Sequence, residues 1–163
     1  MPAPKILVIY YSWWGTTRKV AKALAEALSC DLEEIVEPRK RAGLLGYVRS
    51  VVEARQKRPS VIMPAKAEVA SYDLVVVGSP VWAWSVSSPV RAYLMANKDR
   101  LPAVAFFCTL GSSGSENAFA QMQSVTGKAP RAVLAVTTRA VASGSYREPL
   151  MAFVKEIAPS PNI

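Results

Sequence analysis

The chain contains no histidine among its 163 residues. This absence excludes Ser-His and Cys-His nucleophilic catalysis, and it removes the imidazole ligands of the common zinc sites. Any proton transfer in this protein must therefore use carboxylates, lysine, tyrosine, water or a cofactor.

Cysteine is scarce, and long apolar runs are missing. Cys30 and Cys108 are far apart in sequence and form no metal or redox motif, so we predict free thiols in a reducing cytosol rather than a disulfide. No apolar run is long enough to cross a bilayer, and no cleavage site follows the first one. These features predict a cytoplasmic protein with no membrane span.

Two nucleotide-binding fingerprints are also missing. The chain has neither the triphosphate loop G-x-x-x-x-G-K-[ST] nor the dinucleotide loop G-x-G-x-x-G. Hydrophobic residues make up 51% of a chain whose length suits one domain, which we predict to span residues 1–163.

Positive charge is concentrated in the second quarter of the chain. The net charge of +8 comes partly from a basic segment that contains Arg39, Lys40, Arg41, Arg49, Arg55, Lys57 and Arg58. Such a segment is either a solvated helix face or a surface for an acidic partner. No zinc finger, RNA-binding aromatic signature or helix-turn-helix pattern accompanies it, so we predict no nucleic-acid partner.

Predicted strands alternate with predicted helices five times. The strands are Lys5–Tyr11, Asp31–Val36, Tyr72–Ser79, Ala103–Thr109 and Ala132–Thr137, and the helices are Thr16–Leu28, Gly43–Gln56, Pro89–Asn97, Glu116–Ser124 and Tyr146–Ile157. The second helix has Leu44, Tyr47, Val48, Val51 and Val52 on one face. This alternation predicts a parallel sheet with helices on both faces.

Three unusual loops follow strands of this sheet: Ser12–Thr17, Pro80–Ser88 and Thr109–Ser115. Because right-handed crossovers place the carboxyl ends of parallel strands at one edge, all three loops should open on the same side. The predicted ligand site therefore lies at this edge.

The first loop suits an anion. The hydroxyls of Ser12, Thr16 and Thr17 and the free N–H groups of a helix N-terminus favour a phosphate. The alternative is that Ser12 and Thr16 only cap the helix.

The other two loops suit a planar ring. Trp82 and Trp84 of the second loop could stack on such a ring, or they could pack against helices or a protein partner. The third loop has two glycines and three serines, so its backbone can approach a flat ligand closely. Together the loops predict a ligand with a phosphate at one end and a ring at the other.

These segments resemble the flavodoxin-like family of FMN-binding proteins. The likeness is carried by YYSWWGTTRKVAKALAEAL, by YDLVVVGSPVWAWSVSSPVRAYL and by VAFFCTLGSSGSENAF. It implies an α/β, flavodoxin-like three-layer sandwich whose five-stranded parallel sheet has the order 2-1-3-4-5. Trp14 departs from the family's phosphate loop, which has threonine or serine at that position.

The resemblance also implies roles for the loop residues. Ser12, Gly15, Thr16 and Thr17 would bind the phosphate of FMN; Pro80, Val81, Trp82 and Ala83 would line the isoalloxazine and ribityl chain; Thr109, Gly111, Ser112 and Gly114 would contact the polar edge of the ring. The predicted site also includes Trp13, Trp14, Trp84 and Leu110.

Two functions remain open at this point. The first is an FMN-dependent redox protein, which transfers electrons with a partner protein or acts as a small NAD(P)H:quinone-type reductase, where a homodimer could complete the site. The second is a binding module of the same fold that has lost flavin and uses its tryptophans as a protein interface.

Overall fold

The computed structural model describes residues 3–38, 41 and 43–158. The fold is built around one parallel β-sheet. Its strands are β1 (Ile6–Tyr10), β2 (Asp31–Glu34), β3 (Leu74–Trp82), β5 (Ala103–Leu110) and β6 (Val133–Thr137), in the order β2-β1-β3-β5-β6. A two-residue strand, β4 (Ser85–Val86), pairs antiparallel with β3. The five parallel strands therefore have the predicted order, and the predicted fold class is confirmed.

Helices cover both faces of this sheet. They are α1 (Thr16–Leu28), α2 (Gly43–Arg55), α3 (Ser88–Asn97), α4 (Ser115–Thr126), α5 (Thr138–Ser143) and α6 (Arg147–Ile157), with a short 3-10 turn at Val69–Ser71. Alternate side chains of β1 enter opposite cores, because Val8 packs with α1 and α6 while Ile9 packs with α3 and α4. This alternation is expected of a strand that is buried on both faces.

The second predicted loop differs from the structure. Residues predicted as loop continue β3 to Trp82 and then return as β4, so Pro80–Ser88 is largely a β-hairpin. The chain also forms α5 directly after β6, where Thr137 Oγ1 accepts the N–H of Ala140 at 3.0 Å. We did not predict this helix, because its six residues show no extended periodicity.

Helix α2 lies with its large apolar side chains outward. Gly46, Ser50 and Ala54 form its buried face, whereas the predicted apolar face is mainly exposed to solvent. The small residues allow close packing, since a Cβ on Gly46 would lie 2.7 Å from the Arg41 backbone. Helix α2 thus packs against α3, β3 and β4 without burying its large apolar side chains.

The basic segment divides into two parts. Arg41 is buried and Arg49 is half-buried, and both are in ion pairs, whereas Arg55, Lys57 and Arg58 are exposed. Arg39 and Lys40 lie outside the described residues. Only the C-terminal end of this segment is therefore a solvated face.

Cys30 and Cys108 are free thiols, as predicted. Burial raises the pKa of both thiols, that of Cys30 to about 11, so neither is a thiolate at neutral pH. Among the described residues, no helix has both the length and the apolar character needed to span a membrane.

Candidate functional site

A cavity of about 180 Å³ lies at the carboxyl edge of the sheet and is lined by all three loops. Its lining consists of Trp13, Trp14, Thr16, Thr17, Pro80, Val81, Trp82, Thr109, Leu110, Gly111 and Thr138. Most of the predicted site residues thus meet at one place. Ser12, Gly15, Ala83, Trp84, Ser112 and Gly114 belong to the same loops but do not line the cavity.

The hydroxyl of Ser12 stabilises the first loop. Its Oγ accepts the backbone N–H groups of Gly15 at 3.0 Å and Arg18 at 3.2 Å. Gly15 has a φ of 98°, a left-handed conformation that favours glycine, immediately before α1. Ser12 therefore has the capping role, and the N–H groups of Thr16 and Thr17 have no partner among the described residues.

Two threonines join the first loop to the third. Thr17 and Thr109 are both buried, and their Oγ1 atoms are hydrogen-bonded at 2.7 Å. Thr16 is half-buried and lines the cavity, and its hydroxyl has no hydrogen-bond partner among the described residues. Thr16 is consequently the hydroxyl of this loop that is free to bind a ligand.

Aromatic rings form one wall of the cavity. Trp13 stacks on Trp14 with ring centroids 4.7 Å apart, and its ring meets that of Trp82 edge-on at 5.6 Å. Trp14 is 79% exposed, whereas Trp82 is only 7% exposed and also contacts Tyr11. Packing is thus the main role of Trp82, and the wall's accessible shoulder comes from Trp13 and Trp14.

Arg41 packs against this aromatic wall and stabilises it. Its side chain is fully buried, and its guanidinium lies over the Trp82 ring with Cζ 4.7 Å from the centroid. Its backbone carbonyl accepts the Nε1–H of Trp13 at 2.8 Å. One buried arginine therefore holds two of the tryptophans.

Carboxylates neutralise Arg41. Glu37 accepts from its Nε at 2.7 Å and from a terminal nitrogen at 2.9 Å, and Glu53 accepts from the same terminal nitrogen. Ser88 and Glu53 are also hydrogen-bonded. Tyr11 donates to Glu37, and burial followed by the Glu37 charge raises the pKa of Tyr11. This network connects α2 and the start of α3 to the aromatic wall.

The hairpin turn beside the cavity is strained. Ala83 and Trp84 both have positive φ, 48° and 63°, which is the geometry of a two-residue turn usually made by Asn-Gly. The turn is held by Trp84 Nε1–H donating to Ser113 Oγ at 3.1 Å and by Asn117 donating to the Trp84 carbonyl at 2.7 Å. Such strain is typical of ligand-binding loops.

The model of the flavodoxin family matches residues 5–156. The chain belongs to the flavodoxin family. Because this match covers nearly the whole chain, the family resemblance seen in the three loops extends to their scaffold.

Several solved structures share this fold. A Bacteroides uniformis protein has a TM-score of 0.77 and 25% identity, covering 94% of this chain and 99% of that chain. A flavoprotein of Lactobacillus acidophilus NCFM, solved in complex with FMN, has a TM-score of 0.73 and 22% identity, covering 88% and 99% of the two chains.

One curated relative has a described activity. An NAD(P)H dehydrogenase (quinone) of Chromohalobacter salexigens is 32% identical over 97 residues, which cover 55% of this chain. The matched region covers 45% of that relative's length, so the two proteins are alike over less than half of it.

In this flavodoxin-family chain the polar and aromatic groups of the site suit FMN, but the cavity is small for such a ligand. Two free N–H groups and the Thr16 hydroxyl suit a phosphate, and the indoles suit a planar ring. A cavity of about 180 Å³ is smaller than the roughly 300–1,000 Å³ of usual small-molecule pockets. This cavity would therefore enclose a flavin only in part.

Sequence reasoning missed several residues of this site. Thr138 lines the cavity and donates to the Leu110 carbonyl at 3.3 Å, and it begins a helix that we did not predict. Asn117 and Arg41 act on the site from other segments. Glu37, four residues before Arg41, is the local signal for this network, whereas its other carboxylate partner, Glu53, is distant in sequence.

A larger cavity, of about 810 Å³, lies away from this edge. It is bordered by β2, by residues 62–67 and by Tyr93, and no residue of the three loops lines it. Its size alone does not make it the cofactor site, because its lining, as far as the structure describes it, includes no helix N-terminus and none of the tryptophans.

Proposed function

We propose that this protein is an FMN-binding redox protein. The observation that carries the proposal is the juxtaposition at one sheet edge of the free N–H groups of Thr16 and Thr17 with the indoles of Trp13 and Trp14. The FMN prediction is confirmed at the level of the family, and the Lactobacillus acidophilus neighbour was solved with FMN bound.

The chain's own residues would hold the cofactor without acid–base chemistry. The start of α1 would bind the phosphate through N–H groups and the positive end of the helix dipole. The aromatic shoulder would cover the ring and exclude water from part of it. Bound FMN supplies one- and two-electron redox chemistry, which is consistent with a chain that has no histidine.

Flavin titration tests the proposal directly. Purified protein incubated with FMN and desalted should retain visible flavin absorption and should melt at a higher temperature than the apo form. A colourless product with an unchanged melting temperature would instead favour the flavin-free binding module, in which the tryptophans form a protein interface.

Gly114 of the third loop and Gly127 at the end of α4 provide a matched pair for this titration. Both have positive φ, 104° and 68°, but a Cβ on Gly114 would lie 2.8 Å from the Trp84 Cα, whereas a Cβ on Gly127 would meet nothing within 4 Å. Gly114→Ala should therefore weaken FMN binding about tenfold or more by disturbing the fit between the third loop and the hairpin, and Gly127→Ala, at a position that does not line the cavity, should change it little. Equal effects of the two substitutions would show that the fit between the third loop and the hairpin is irrelevant to FMN.

A second candidate function is NAD(P)H:quinone-type reduction, which the similarity to the Chromohalobacter salexigens enzyme favours. Anaerobic mixing of the FMN-loaded protein with NADPH or NADH should then bleach the flavin rapidly, and a quinone should restore its colour. If neither nucleotide reduces the flavin, a carrier that exchanges electrons with a partner protein is the better description.

A further inference from the structure

Helix α2 presents a patch of large apolar side chains to solvent. Leu44, Leu45, Tyr47, Val48 and Val52 are all exposed, Leu44 by 78% and Leu45 by 85%. We call these five residues the α2 face. Scattered exposed apolar residues are ordinary, but a contiguous patch marks a surface that another body covers.

The α2 face is continuous with the candidate site. Tyr47 stacks with Trp13 at a centroid distance of 6.5 Å, and Trp13 stacks in turn on the exposed Trp14, which lines the cavity. Whatever covers the α2 face therefore lies beside the mouth of the cavity.

The charges that accompany the α2 face are positive. Arg55, Lys57 and Arg58 are exposed at its C-terminal end, and none of them pairs with an acid within the described residues. Glu53 is the sole acidic residue between positions 43 and 58, and it is committed to Arg41 and Arg49. An acidic counterpart must therefore come from outside this segment.

Size and charge argue against a second copy as the occupant. The α2 face has five residues, whereas a stable protein interface usually has roughly 20–30 residues from each partner. In a symmetric contact the face would meet itself, and residues 43–58 offer no uncommitted carboxylate to pair with Arg55, Lys57 and Arg58 of the other copy.

We infer that the α2 face docks on an anionic lipid surface. A helix with aliphatic side chains on one side and basic residues at its border lies in the interface of such a membrane, and it needs no large complementary protein surface. Trp14 and Tyr47 are residue types that favour the headgroup region. Docking in this way would hold the cavity mouth beside the bilayer, and it does not require bound flavin.

Vesicle binding tests this inference. The full chain should sediment with vesicles of phosphatidylcholine containing about one third phosphatidylserine, at least tenfold more than with pure phosphatidylcholine, and high salt should reverse the binding. The tryptophan fluorescence of the chain should shift to the blue on binding, and Trp14→Phe should remove most of that shift.

Paired variants separate this surface from the overall positive charge. Leu44→Ser/Leu45→Ser and Lys57→Glu/Arg58→Glu should each reduce vesicle binding at least fivefold. The control changes Met151→Ser and Arg147→Glu/Lys155→Glu alter an exposed apolar residue and two exposed basic residues of α6. The second control matches the net-charge change of Lys57→Glu/Arg58→Glu, and each control should reduce vesicle binding less than twofold.

Three results would overturn the inference. Absence of binding to the anionic vesicles would do so, as would equal losses in the α2 and α6 variants, which indicate attraction by net charge alone. A lipid-free dimer in light scattering that becomes monomeric in Leu44→Ser/Leu45→Ser would identify a second copy as the occupant.

Discussion

The guanidinium of Arg41 lies over the indole of Trp82 with its Cζ 4.7 Å from the ring centroid, while the Arg41 carbonyl accepts the indole N–H of Trp13 at 2.8 Å. The same guanidinium is paired with Glu37 and Glu53. The aromatic wall of the site therefore depends on a buried ionic network that lies behind it.

Replacing this arginine should cost much of the protein's stability. Arg41→Met keeps much of the side-chain volume but leaves two carboxylates without their buried partner, so the free energy of unfolding should fall by about 3–5 kcal/mol. Arg41→Lys should also destabilise, because lysine cannot reproduce the forked contacts. Urea denaturation measures both changes.

A surface arginine supplies the control. Arg100→Met breaks an exposed pair with Glu68 at 3.6 Å and should cost about 0–1 kcal/mol. If Arg41→Met costs no more than Arg100→Met, the buried network contributes nothing net to stability.

Glu53 should make the free energy of unfolding depend on pH in the acidic range. Burial raises the pKa of Glu53, but hydrogen bonds from Ser88, Arg41 and Arg49 outweigh it, so the net pKa is lowered. A carboxyl whose folded pKa is below its unfolded value of about 4.3 stabilises the protein above that value. This contribution is lost as the pH falls through the folded pKa.

The free energy of unfolding measured from pH 7 down to pH 3 checks this sign. Glu53→Gln should lower stability at pH 7 and flatten the fall in stability below about pH 4.3. A slope that is the same in wild type and Glu53→Gln would contradict the assignment.

The fold was predictable where local pattern and tertiary packing agree. Helix α1 has the predicted bounds, Thr16–Leu28, because its apolar stripe of Val20, Ala21 and Leu24 is the face that it buries. For α2 the same reasoning failed, since its buried face consists of Gly46, Ser50 and Ala54. Periodicity identifies a helix, but it does not show which face packs when small residues permit the closer approach.

The site was predictable at the level of its loops and less so at the level of contacts. Strand order placed residues such as Thr16, Val81 and Gly111 at one edge, as the cavity confirms. Apart from the Glu37–Arg41 pair, the Arg41 network and the strained turn at Ala83 depend on partners distant in the chain, so no local motif indicates them.

The strained turn beside the cavity should be relieved by glycine. Ala83 has a φ of 48°, and a non-glycine residue in the left-handed region costs roughly 1–2 kcal/mol. Part of this gain is lost to the greater freedom of glycine in the unfolded chain, so Ala83→Gly should stabilise by roughly 0.5–1 kcal/mol.

An alanine within a helix provides the control, because glycine should lower stability there. Ala152 is exposed within α6, and Ala152→Gly should destabilise by about 1 kcal/mol. Thermal and urea denaturation compare the two substitutions. A loss of stability in Ala83→Gly comparable to that in Ala152→Gly would show that the turn is not strained.

The two threonines of the first loop should separate stability from flavin binding. Thr17→Val leaves the buried Thr109 hydroxyl without its partner at 2.7 Å, which costs about 1–3 kcal/mol, and Thr17→Val/Thr109→Val should cost less than the sum of the single changes.

Thr16→Val removes a hydroxyl that lines the cavity, so it should weaken FMN binding about five- to tenfold with little effect on apo stability. Denaturation of the apo protein and FMN titration measure both effects on each variant. The assignment fails if Thr17→Val weakens FMN binding more than Thr16→Val does while leaving the apo fold equally stable, because the buried hydroxyl would then be the one that reaches the phosphate.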